Sequence, residues 1–235
     1  MLGTIVNTAA ILAGGLAGLF LRKGIQEKYK AIITQAVALS VLFIGISGAT
    51  GGLLNADANP ILFIISLVLG GIAGEWLGVE ARLEKLGNWL QTKVRLKGES
   101  GNLSRGFVAA SLLFCVGTMS VLGPLESGLQ GQHGILFAKS TLDGITAIIM
   151  ASSLGVGVLF SAGSVLVYQG AITLLAVWIS PFLNADILRE ISIVGGIMIT
   201  ALGLNMLGLT KIKVGNFLPA ILVPAAYYLL VGLIQ

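Results

Sequence analysis

The sequence predicts an all-α fold: a polytopic transmembrane helix bundle with about eight spans. Three observations predict it. Charged residues make up 10% of the 235 residues and apolar ones 56%, whereas a soluble domain carries about 25% charge and needs it to cover its surface. Apolar stretches long enough to cross a ~30 Å hydrocarbon layer recur along the chain. Glycine occurs 33 times, far above the usual ~7%, which suits helices that approach closely in lipid. Seven spans, or a re-entrant segment, are the alternatives. The whole of 1–235 reads as one integral membrane domain.

The first span is expected over about 3–21, with Gly14, Gly15 and Gly18 on a small-residue face. No basic residue precedes its apolar run, so it reads as a retained helix rather than a cleaved signal. A basic link (Arg22, Lys23, Lys28, Lys30) leads to a second span over about 31–53. Asn55-Ala-Asp57-Ala-Asn59-Pro60 has turn chemistry, and a third span follows over about 60–77. Residues 79–97 repeat Val79, Leu83, Leu86 and Leu90 at helical spacing among charges, the pattern of an amphipathic helix at the membrane surface. Lys93, Arg95, Lys97 and Arg105 add charge that suits anionic headgroups.

A fourth span is expected over about 106–122, broken at Gly123-Pro124 by a glycine-spaced turn that holds Glu126 and His133, the single histidine. Apolar sequence resumes through Lys139-Ser140-Thr141-Leu142-Asp143-Gly144 and runs to Pro181. That is too long for one crossing, so it is divided near Ser161-Ala162-Gly163-Ser164 into a fifth and a sixth span. The seventh is expected over about 191–209 and the eighth over about 215–234. With the N-terminus outside, twelve of the fourteen Lys and Arg fall on the inner side, and only Lys139 and Arg189 fall outside. That bias marks cytoplasmic loops.

Internal similarity accompanies this order. Gly14-Gly15-Leu16-Ala17-Gly18 resembles Gly70-Gly71-Ile72-Ala73-Gly74, relating 1–53 to 60–122. A weaker, inverted echo relates 31–77 to 191–234 through Asn59-Pro60 and Asn216/Pro219. Inverted repeats are common in transporters, with sites near the repeat interface. The faces Gly14/Gly18 and Gly70/Gly74 would also permit a homo-oligomer.

Polar groups inside hydrocarbon are expensive and mark candidate sites. Lys139 and Asp143 stand four apart on one helix face, either as a self-neutralising interfacial pair or as a gate for a solute. Ser140 lies between them. Thr118, Ser120, Ser152 and Ser153 offer hydroxyls that bond either a solute or their own helix. Gln169 has two donors and an acceptor to satisfy and reads either as interhelical glue or as a solute ligand, and Asn7 and Asn205 pose the same question. Glu75 reads as interfacial, and Glu126 and His133 as solvated loop residues. No enzyme is expected. There is no HExxH, no GxxxxGK[ST] and no GxSxG, Ser161-Ala-Gly-Ser164 lacking the elbow spacing. One cysteine, Cys115, excludes an internal disulfide and a multi-cysteine metal site, so no cofactor or metal is expected. The net charge of +4 is topological signal rather than a footprint for nucleic acid.

Cys115-Val-Gly117-Thr-Met119-Ser-Val-Leu-Gly123, Leu125-Glu-Ser-Gly128-Leu129, Lys139-Ser140-Thr-Leu-Asp143-Gly144, Tyr168-Gln169-Gly170 and the N-terminal GTIVNTAAILAGG resemble the YdfK/YqgA-type bacterial inner-membrane proteins, the domain of unknown function 554 family. The resemblance spans the chain, and Lys-Ser-x-x-Asp-Gly is its most specific element. It implies a multi-pass protein of the bacterial plasma (inner) membrane and implies no substrate. The residues themselves suggest a small-solute or ion transporter or channel, with Asp143 binding or relaying a cation and Lys139 as its resting partner. The alternative is a non-transporting scaffold that binds lipid or a partner through 79–97.

Overall fold

The computed structural model describes residues 1–24, 26–56, 58–94 and 102–234, and these contain helices and no strand. In chain order the helices are α1 (Leu2–Gly24), α2 (Glu27–Leu53), α3 (Pro60–Leu77), α4 (Val79–Val94), α5 (Asn102–Cys115), α6 (Thr118–Leu129), α7 (Gly134–Leu154), α8 (Gly157–Leu174), the short α9 (Ala176–Ile179), α10 (Ala185–Met206) and α11 (Leu222–Ile234). Two 3-10 segments, Ser180–Phe182 and Val214–Ile221, precede α10 and α11. The chain is thus an all-α polytopic bundle. Among the described residues seven helical segments are long and apolar enough to cross a membrane, and an eighth crossing results if the bent pair α5–α6 is one span. Large apolar side chains such as Phe20, Phe43, Ile72 and Val167 are left exposed, as lipid contact requires. The expected turn at Asp57 and the last part of the amphipathic segment, 95–97, lie outside the described residues. Within them α4 carries that segment from Val79 to Val94.

Two boundaries differ from the sequence expectation. The fourth span does not break at Gly123-Pro124. It breaks at Val116-Gly117, where Gly117 takes φ +129°, and the two arms meet at 59°. Pro124 sits inside α6, so Glu126 is helical rather than part of a turn. A backbone angle open to glycine interrupts the helix more completely than a proline, which removes one donor and can be carried through. The Ser120 hydroxyl donates to the Phe114 carbonyl at 2.9 Å, satisfying an acceptor that the break releases. The second difference lies between α7 and α8. They divide at Gly155, with φ +81°, and not near 161–164, which is continuous helix in α8.

The contacts divide the chain into two compact units. The first comprises 1–37, 83–115 and 119–177. Its most extensive pairing is α1 with α7, followed by α5 with α8. The buried stripe of α1 is Thr4, Asn7, Ile11, Gly14 and Gly18, spaced alternately three and four, so that one face meets its neighbours along the whole helix. A Cβ on Gly14 would run into the carbonyl oxygen of Gly144, and one on Gly18 into that of Ile148. Glycine at these two positions therefore sets how near the α1 and α7 backbones come.

The second unit comprises 38–82, 116–118 and 178–235. Here the matching glycines of α3 do the same work. Gly70 rests on Ala220 and Gly74 on the Asn216 carbonyl of the 3-10 segment. The outer glycines of each of the two similar motifs are thus buried inside their own unit. Asn216 also ties this unit's polar end together, accepting from the Glu80 amide at 2.7 Å and donating to Glu75 at 2.5 Å. Lys213, outside the spans, bonds Glu75 at 2.6 Å, and that hydrogen bond holds its amine above the usual lysine value.

Gly14→Val is expected to lower the thermal unfolding temperature of detergent-purified protein sharply, or to abolish folded yield. Overpacking of a closed seam costs about 1–3 kcal/mol or more. Gly163→Ala, where a Cβ meets nothing within 4 Å, is expected to leave the temperature unchanged. Equal behaviour of the two variants would show that the seam does not depend on close approach.

Candidate functional site

The first unit brings together a cluster of polar side chains from three helices. Asn7 lies on the buried stripe of α1. Lys139, Ser140 and Asp143 belong to the buried face of α7, and Gln169 and Thr173 to that of α8. Asn7 and Gln169 are 0% exposed and Lys139 and Asp143 each 6%. The Lys139 ammonium contacts both Asp143 oxygens, at 3.0 and 2.9 Å. The Asn7 amide nitrogen donates to Asp143 Oδ2 at 3.0 Å and to Gln169 Oε1 at 3.3 Å. One turn along the paired helices, the Thr4 and Thr173 hydroxyls meet at 3.3 Å.

The orientation of both amides follows from this network. A carboxylate only accepts, so Asn7 must turn its NH2 toward Asp143. The same NH2 reaches Gln169, which must then turn its oxygen toward Asn7. Two buried atoms of this cluster are left without a hydrogen-bond partner among the described residues: Asn7 Oδ1, an acceptor, and Gln169 Nε2, a donor. A buried polar atom without a partner costs about 1–3 kcal/mol, and two in one cluster call for a physical explanation.

The other residues that the sequence singled out lie elsewhere or are satisfied separately. Ser140 is buried but bonds its own helix at the Leu136 carbonyl, 2.6 Å away. Ser152 bonds the Ile149 carbonyl at 2.8 Å, and Ser153 the Thr34 hydroxyl at 2.8 Å. The Thr118 side chain lies outside the described residues. Asn205 belongs to the second unit, where it closes the turn after α10 by donating to the Ile212 carbonyl at 2.6 Å and accepting from the Ile212 amide at 2.9 Å. His133 precedes α7, with Nδ1 3.0 Å from the Ser127 hydroxyl.

The sequence reading missed Thr4, Thr173 and Glu190. The threonines carry the 3.6-residue signal: Thr4 is one turn before Asn7 and Thr173 one turn after Gln169. Glu190 was hidden by a boundary. Asn184 caps α10 by accepting from the Ile187 amide at 2.9 Å, so the helix starts at Ala185 and draws in a residue assigned to the preceding loop. Glu190 is 0% exposed in the second unit and accepts from the Asn59 amide at 2.9 Å. Arg189 beside it pairs with Asp186 at 2.8 Å.

Along its length the chain matches the family described as "Protein of unknown function (DUF554)", over residues 2–229. The chain belongs to that family. It is 41% identical over 224 residues to "Uncharacterized membrane protein YdfK" of Bacillus subtilis (strain 168), covering 95% of this chain and 94% of that one. It is 31% identical over 226 residues to "Uncharacterized protein YqgA" of Escherichia coli (strain K12), covering 94% of each. No solved structure matches it. Family and fold together make this a membrane protein with several apolar helices.

Lys139→Met is expected to destabilise the folded protein by about 3–5 kcal/mol, because it strands a buried carboxylate. Lys139→Met combined with Asp143→Leu is expected to recover most of the loss in a thermal unfolding series. A double variant no more stable than the single one would show that the pair is not the dominant interaction at this position.

Proposed function

We propose that this protein is a non-enzymatic, multi-pass transporter or channel for a small solute or ion in the bacterial plasma membrane, with the Asn7–Lys139–Asp143–Gln169 cluster as its binding site. The observation that carries the reading is the ion pair itself. A charged pair placed within helices suited to span lipid costs free energy. This one also leaves a neighbouring acceptor and a neighbouring donor unpartnered. A purely structural cluster gains nothing from such atoms, whereas a ligand site needs them. The same reading puts the N-terminus outside and the basic loops in the cytoplasm, as the distribution of Lys and Arg favours.

A second reading has one observation in its favour. The helix α4 exposes Arg82, Glu84, Lys85 and Trp89, a surface that suits anionic headgroups. On that reading the protein is a lipid- or partner-binding scaffold.

Reconstitution into proteoliposomes separates the two. Stopped-flow swelling and an entrapped pH dye, applied to a panel of salts and neutral solutes, are expected to show at least one species moving faster than in protein-free vesicles. Asp143→Asn is expected to lower that rate tenfold or more, and Glu84→Gln on α4 to leave it unchanged. No accelerated species, together with tightly co-purifying anionic lipid, would favour the scaffold.

A further inference from the structure

We propose that the cluster takes a small uncharged molecule carrying both a hydrogen-bond donor and an acceptor, held between Asn7 Oδ1 and Gln169 Nε2. The proposal rests on the transport reading above and names its class of solute. Water, a primary amide, urea and a small polyol share that chemistry.

The polarity of the site follows from one carboxylate. Both Asp143 oxygens are occupied, one by Lys139 and the other by Lys139 and Asn7. They fix the position of the Asn7 nitrogen, and that nitrogen fixes the Gln169 oxygen. Each amide is left presenting its other atom, an oxygen from α1 and an NH2 from α8. Both side chains are 0% exposed, and neither of these atoms has a partner among the described residues. Each shares its amide carbon with an atom of the 3.3 Å bond between Asn7 and Gln169. The two are therefore no further apart than a small molecule can span.

One acceptor and one donor are matched by a molecule that offers one of each. A cation would gain the Asn7 oxygen but face the Gln169 NH2. An anion would gain that NH2 but face the Asn7 oxygen. Net charge points the same way. Lys139 and Asp143 are the only charged residues of α7, and neither residues 2–21 of α1 nor α8 contains one. The pair balances itself, so an added ion would stand uncompensated among helices suited to span lipid. An uncharged molecule instead completes two hydrogen bonds whose absence is costly in a buried site.

One turn away the polar groups are again uncharged. Thr173 donates to the Gln169 carbonyl at 2.8 Å, so in its 3.3 Å contact with Thr4 the Thr4 hydroxyl donates and keeps its own lone pairs. A solute leaving the amides on that side meets hydroxyl oxygens. Asp143, in this arrangement, is a positioning residue: it sets which atom each amide presents.

The test compares three molecules of one shape. Acetamide donates and accepts, acetate only accepts, and acetamidinium only donates. Proteoliposomes carrying the full chain are followed by stopped-flow light scattering with each of these, with urea and glycerol, and with sucrose as an impermeant osmolyte to read water. Potassium and valinomycin compensate charge for the two ions. Saturation-transfer NMR on the detergent-purified chain reads acetamide, urea and glycerol binding apart from flux. At least one uncharged species is expected to cross faster than in protein-free vesicles, and neither ion is. Gln169→Met, which removes the donor, is expected to lower that flux and the binding signal about tenfold. Gln169→Glu keeps the size and one oxygen, and serves equally if the methionine variant does not fold. Glu84→Gln should change neither readout. Asp143→Asn leaves Lys139 without its counter-charge, so acetate should gain on acetamide, and unchanged discrimination in that variant overturns the proposal. Flux of acetate, acetamidinium or an alkali ion that depends on Gln169 also overturns it and leaves the transport reading standing. Water flux alone, dependent on Gln169, upholds it with water as the occupant. Gln169-dependent binding without flux upholds the class of ligand and removes the transport reading. Neither binding nor flux dependent on Gln169 overturns the proposal.

Discussion

A carboxylate placed among lipid-spanning helices has to be neutralised and hydrogen-bonded, and the first unit is arranged around meeting that requirement for Asp143. Lys139 supplies the opposite charge from one turn away on the same helix, so the ion pair forms locally and needs no long-range assembly. The remaining requirement crosses helices. Asn7 comes from the far end of the sequence, and its single amide nitrogen serves both Asp143 and Gln169. One nitrogen therefore links α1, α7 and α8, and it does so within a stripe whose other residues are Thr4, Ile11, Gly14 and Gly18.

That link is possible because the backbones come close. Asparagine has a short side chain, and it reaches a carboxylate on the next helix only when little stands between the two. The glycines of α1 remove side chains where α7 passes, and carbonyl oxygens occupy the space. The second unit applies the same device with a different partner. There the glycines of α3 admit a 3-10 segment, and the side chain of Asn216 ties that segment to Glu75 and Glu80. In both units a small-residue motif makes the approach, and a nearby asparagine uses it.

Much of this was legible in the sequence, and the reason is that lipid imposes few choices. Long apolar stretches had to be helices, and polar residues inside them had to be explained. Asp143, Lys139, Gln169 and Asn7 could be singled out on those grounds, and the structure places them in contact. What could not be read was which helices are neighbours. Asn205 looks like Asn7 by composition, yet it closes a local turn. The hydroxyls of Ser140, Ser152 and Ser153 looked available, yet each is engaged by a carbonyl or by another hydroxyl. Helix breaks misled for a related reason. Gly123-Pro124 carries a stronger local turn signal than Val116-Gly117, but a proline within a helix leaves most of the ladder intact, whereas a residue at φ +129° cannot be part of it. The same dependence on end chemistry concealed Glu190, since the reach of Asn184 as a cap decides whether that carboxylate is loop or core.

The lengths of the bonds in the cluster are unequal, and the inequality has a direction. The two contacts within α7 and the bond from α1 to α7 measure 2.9–3.0 Å. Both polar ties from α1 to α8, at Gln169 and at Thr173, measure 3.3 Å. With Gly14 and Gly18 seated on backbone oxygens, the seam between α1 and α7 closes backbone to backbone at those two positions. Asn7 is therefore held closer to Asp143 than to Gln169, and the polar link from α1 to α8 rests on the longer bonds of the cluster.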